Sequence, residues 1–165
     1  MLSDPALVAA VALLVPLMGI VAYTDTRDLR IPNWTVLAVL GVFLATGSWG
    51  LPIETFLWRL GYAAVAFGLS LLLYNIAQGG IGAGDLKLMI ALVPFLSGAI
   101  LVDFLLIYVG VSVLGTLAFW IARRALKGRS TGWKALDTAV YYPVGVYIGI
   151  AVTAALMREL LVRLG

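Results

Sequence analysis

The stretch DPALVAAVALLVPLMGIVAYTDTRDLRIPN, residues 4–33, carries no charged side chain between Asp4 and Asp25, then places Asp25, Arg27, Asp28 and Arg30 close together. An uncharged run of this kind matches the roughly 20 residues that a helix needs to cross hydrocarbon. It lacks the two-residue alternation of a membrane barrel strand. Backbone polar groups in a bilayer must be satisfied within the segment, so the run predicts a transmembrane helix over about 6–23, followed by a charged turn. Neither a basic segment before it nor a small-residue cleavage site after it is present, so it reads as a retained first helix.

Further apolar runs lie at about 34–46, 56–77, 86–96, 100–121 and 141–156, with Ser97-Gly98 separating the fourth from the fifth. The expected fold is therefore an all-α polytopic membrane protein of about six transmembrane helices, residues 1–165 forming a single membrane-embedded domain. Composition agrees, since 63% of the 165 residues are hydrophobic and 12% charged. Neither cysteine nor histidine is present, which removes thiol nucleophiles, disulfides, thiolate or imidazole metal ligands and a histidine base. No metal and no cofactor is expected. The net charge of +3 does not point to nucleic acid, because the basic residues lie between apolar runs rather than on one soluble face.

Those charges instead set topology. With the N-terminus outside, the inner segments hold Arg27, Arg30, Lys87, Arg123, Arg124, Lys127, Arg129 and Lys134, leaving Arg59, Arg158 and Arg163 outside. Both termini are then outside. The Asp25 turn, the Gly79–Asp85 loop and a basic loop over 122–139, read as lying beside anionic lipid, share the cytoplasmic face.

Asp4, Glu54, Asp103, Asp137 and Glu159 fall at helix ends or in the basic loop, as water-edge charges. Asp25 and Asp28 come just after the first helix and Asp85 opens the fourth, with two apolar runs between. Two aspartates brought together in a partly dry site share one proton and titrate as a pair. One is then a base and the other an acid, as peptide hydrolysis by activated water requires. Gly82 and Gly84 would let the backbone approach an extended peptide closely or adopt positive φ. The bland alternative makes Asp85 an N-cap and pairs Asp25 with Arg27 or Arg30 at the water edge.

Taken together, Asp25, Arg27 and Ile31-Pro32-Asn33, then Gly82-Ala83-Gly84-Asp85-Leu86-Lys87-Leu88 after Gly79-Gly80, resemble the two motifs of the GXGD-type membrane aspartic proteases, in particular the type IV prepilin peptidases. The late YYPVGVYIGIA, with Pro143 and Gly145, is similar to that family's Pro-x-Gly stretch. The resemblance implies the GXGD protease fold, Asp25 and Asp85 as catalytic pair, and removal of a short basic leader from prepilin or pilin-like precursors, after a Gly, at the cytoplasmic face of the inner membrane. Larger family members carry a cysteine-bearing domain and methylate the new N-terminus; with no Cys here, methylation is not implied. The size is similar to short peptidases of tight-adherence (Flp pilus) systems, and archaeal preflagellin peptidases are the sub-family alternative.

The other motif residues take lesser roles. Pro32 starts the second helix with Asn33 and Trp34 at the interface, shaping the site secondarily. Lys87 either steadies Asp85 or anchors to headgroups. Gly61, Gly68, Gly110 and Gly115 are expected to permit close helix packing. The competing class is a non-enzymatic transporter or assembly scaffold using the two aspartates for protons or packing.

Overall fold

The computed structural model describes residues 2–77, 82–126, 129–138 and 140–165. Gly79 and Gly80 of the glycine-rich loop, and Lys127 of the basic loop, lie outside the described residues. The helices are α1 (Asp4–Asp28), α2 (Asn33–Gly50), α3 (Ile53–Ala77), α4 (Ala83–Leu92), α5 (Ala99–Ala125), the short α6 (Lys134–Asp137) and α7 (Val144–Leu164). Among the described residues, α1, α2, α3, α5 and α7 are long and apolar enough to cross a bilayer.

The expected fourth crossing is shorter, and Pro94 supplies a reason. Lacking an N–H, it cannot continue α4, and Val93–Phe95 tighten into a single 3-10 turn. Leu96 and Ser97 follow, and Gly98 takes φ 51° and ψ −122°, a conformation that L side chains rarely adopt, before α5 begins. Arg59 closes this break. Its guanidinium donates to the Pro94 carbonyl at 3.0 Å and to Ser97 Oγ at 2.9 Å, and among the described residues of α3 it is the one that is fully buried. The sequence reading made Arg59 a topology charge at the outer surface; it is a tether across a broken helix.

α1 and α7 form the centre and run antiparallel. At one end Arg163 donates to the Leu2 carbonyl at 2.7 Å and to Asp4, while at the other the Gly145 N–H donates to Asp25. α5 also runs antiparallel to α7, with Arg158 paired to Asp103 at the first end and Arg123 donating to the Tyr141 carbonyl at the second. The two chain termini therefore share the end opposite Asp25.

Helices surrounded by apolar lipid gain little from the hydrophobic effect, so close contact and dispersion hold them together. Small residues make that contact possible. A Cβ on Gly50 would lie 2.3 Å from Ala6 Cβ, and one on Gly115 would lie 2.4 Å from the Tyr147 ring. Gly61, Gly68 and Gly110, expected to pack, have open space instead, so they permit no close approach of helices. Stacked rings of Phe43 and Phe56 (5.6 Å) and the edge of Phe95 (5.3 Å) join α2, α3 and the turn after α4. Gly50→Ala should therefore cost about 1–3 kcal/mol of stability through overpacking, whereas Gly61→Ala should be neutral or slightly stabilising. Unfolding midpoints in detergent would measure both, and equal midpoints for the two variants would contradict this packing.

Candidate active site

The buried stripe of α1 runs Leu7, Ala10, Leu14, Met18, Val21 and Asp25, spaced by three or four residues. Asp25 thus continues the face that α1 turns toward its neighbours. The sequence reading ended the helix before Asp25; α1 in fact extends to Asp28. Thr24 and Thr26 are accommodated in the final turns by donating their hydroxyls to the Ile20 and Ala22 carbonyls, at 3.0 and 2.7 Å. The helix stops where Leu29 enters the left-handed region (φ 53°, ψ 43°), its N–H donating to the Asp25 carbonyl at 2.9 Å. That conformation costs a residue with a Cβ about 1 kcal/mol, and it turns the chain into the extended Pro32 that precedes α2.

Asp25 is 5% exposed, and its Oδ2 accepts the Gly145 N–H at 2.7 Å. The pairing with Arg27 or Arg30 is absent among the described residues. Arg27 instead donates to the Tyr23 hydroxyl at 2.7 Å on its own helix. Gly145 cannot be replaced without disturbance, because a Cβ there would lie 2.8 Å from both Asp25 Oδ2 and Ile31 Cδ1.

Asp85 is the third residue of α4 and does not cap it; the N-cap position belongs to Gly82. A Cβ on Gly82 would lie 2.6 Å from Asp85 Oδ2, and one on Gly84 3.2 Å from Ile31 Cβ. Gly82 adopts φ −64°, ψ 123°, open to any residue, so the motif glycines supply room for a carboxylate and for Ile31 rather than positive φ.

Asp25 and Asp85 line one cavity of about 610 Å³, formed between the end of α1, the start of α2 and the start of α4. Pro32, Asn33, Gly82 and Gly84 line the same cavity, as does the exposed Asp28. Lys87 stands at its edge, its Nζ donating to Asn33 Oδ1 at 3.2 Å, so it braces α4 against α2 rather than contacting Asp85.

Among the lining residues that were not anticipated, one comes from a distant loop. Lys134, assigned by sequence to a lipid-facing loop, reaches the cavity because α6 folds back onto α1. Arg123 donates to the Ala135 carbonyl at 2.9 Å and stacks on Tyr142, and Trp133 meets Tyr23 edge to face at 5.7 Å. Asp137 accepts the Thr131 and Gly132 N–H groups, and the Thr131 N–H bond foremost holds its carboxyl below the usual carboxylate range. The signal available in the sequence was the Thr131 to Asp137 spacing, suited to a loop closed by its own aspartate.

Comparison with known proteins gives a family match. The model of the type IV leader peptidase family matches residues 12–121, which include both aspartates and most of the bundle. No curated protein and no solved structure matches the chain. The Gly145 partner of Asp25 lies beyond the matched segment but packs directly on it. By the greater part of its length, this integral membrane chain of apolar helices belongs to the type IV leader peptidase family.

Proposed function

We propose that the protein is an aspartic endopeptidase whose Asp25 and Asp85 cut the short basic leader from prepilin or pilin-like precursors at the cytoplasmic face of the inner membrane. The observation carrying this reading is that two aspartates from helices far apart in sequence line one cavity, with Gly82 and Gly145 leaving room for their carboxylates. The described residues act as one membrane-embedded domain. Arg27, Arg30, Lys87, Arg123, Arg124 and Lys134 gather at the cavity end, which supports placing that end in the cytoplasm.

The dyad works with one proton. The ionised carboxylate takes a proton from water as its oxygen attacks the scissile carbonyl carbon, and the protonated partner gives its proton to the carbonyl oxygen. Collapse of the resulting diol transfers a proton to the amide nitrogen as the C–N bond breaks, and the pair again holds one proton. The Gly145 N–H fixes the Asp25 carboxylate throughout.

Purified protein in detergent, incubated with a pilin precursor, should yield a product whose mass places the cut after the leader Gly; failure to cut precursors of the pilin class would refute the proposal. Activity against pH should form a bell whose limbs belong to the pair jointly. Below the lower step both carboxyls are protonated and no base remains; above the upper step both are ionised and no acid remains. A flat profile, with chemistry shown to limit the rate, would contradict shared-proton catalysis.

A further inference from the structure

At the end of the bundle opposite the carboxylates, a second cleft of about 530 Å³ is lined by Thr55, Trp58, Arg59, Tyr62, Ser97 and Gly98. Arg59 is 5% exposed and is not a member of any ion pair among the described residues. Its hydrogen bonds go to a carbonyl and a hydroxyl, which satisfy donors without cancelling the charge. A buried guanidinium without a counter-charge in a membrane helix is costly.

The remaining lining is suited to receive an anion. Thr55, Tyr62 and Ser97 bring hydroxyls and Trp58 an indole N–H, while among the described residues no carboxylate lines the cleft. The Ser97 oxygen accepts from Arg59, and its own O–H remains a donor. Trp58 and Tyr62 are exposed side chains in the first half of α3, of the residue types enriched where a membrane meets water. A planar guanidinium ringed by neutral donors matches a phosphate oxygen pair.

We propose that this cleft is a binding site for a phosphate-bearing anion, the headgroup of an anionic phospholipid, centred on Arg59. The lipid phosphate supplies the missing counter-charge and secures the break between α4 and α5, which Arg59 already spans.

The test uses the full chain in neutral detergent, with thermal unfolding followed on addition of short-chain phosphatidylglycerol, short-chain phosphatidylcholine or inorganic phosphate. Phosphatidylglycerol should raise the midpoint by about 5 °C at roughly a hundredfold excess over its Kd, and phosphatidylcholine should raise it less. The rise should vanish in Arg59→Gln, which removes the charge but keeps an amide donor. It should also vanish in Thr55→Trp, which fills the cleft while leaving Arg59 in place and keeps the test open should Arg59→Gln fail to fold. An equal rise with inorganic phosphate would retain the phosphate site and assign it to free anion rather than lipid. No rise with either phosphate source, or a rise persisting in Thr55→Trp, would overturn the proposal.

Discussion

Asp25→Asn and Asp85→Asn are each expected to lower leader cleavage by about a thousandfold or more while leaving insertion into the membrane intact. Each substitution keeps the shape of the side chain and removes its ability to carry or accept the proton that the proposed dyad would share. Asp28 provides the internal control. It lies one turn beyond Asp25 and lines the same cavity, but it is exposed, whereas Asp25 is buried against Gly145. Asp28→Asn should keep cleavage within about tenfold of the parent, since a hydrated charge at an exposed site contributes little. The mobility shift of a pilin precursor on co-expression, repeated with purified components, reads out all three. Cleavage surviving in Asp25→Asn, or lost only in Asp28→Asn, would return Asp25 to the standing of a buried structural charge.

Gly145→Ala should cost about a hundredfold in kcat with a smaller change in KM. The added Cβ would stand 2.8 Å from Asp25 Oδ2 and from Ile31 Cδ1, both ends of side chains that can move aside without unfolding α7. The carboxylate then leaves its Gly145 N–H, and a displacement of roughly 1 Å at a reacting group is enough for a loss of that size. Gly149, one turn further along α7, separates this effect from a general intolerance of α7 to larger residues. A Cβ there would meet Met18 Cβ at 3.4 Å, ordinary contact, so Gly149→Ala should keep most activity. Full activity in Gly145→Ala would show that the Gly145 contact does not position Asp25.

The apolar runs were legible because each span's hydrophobicity is a local property, and Ser97-Gly98 marked the break after the fourth run. The gathering of Asp25 and Asp85 in one cavity was approached through their motif spacing, but their surroundings were not readable in the same way. Polar Thr24, Asp25 and Thr26 resemble a turn when taken locally; packing against α7 and back-bonded hydroxyls keep them helical. The three- and four-residue spacing that ends at Asp25 was nonetheless in the sequence. Gly145 as donor to Asp25, Arg59 as tether and Lys134 as cavity wall each depend on partners distant along the chain. Charge type and position alone had assigned Arg59 and Lys134 to surfaces. Likewise, the glycines read as helix contacts divide only on knowing what faces them: Gly115 meets a ring and Gly61 meets nothing.

The bond between Gly145 and Asp25 joins residues 120 positions apart, and Arg163 reaches back 161 positions to Leu2. A ribosome adding about 5–20 residues per second needs on the order of ten seconds to make the intervening chain. Throughout that interval α1 can already be in the bilayer while the backbone group that holds its aspartate has not been synthesised. Completion of the site is thereby tied to arrival of the last helix, and a chain stalled before α7 carries both motif aspartates but lacks the group that orients one of them. Biogenesis thus has its own checkpoint: the nascent protein acquires a fully supported carboxylate pair only when its final helix docks against its first.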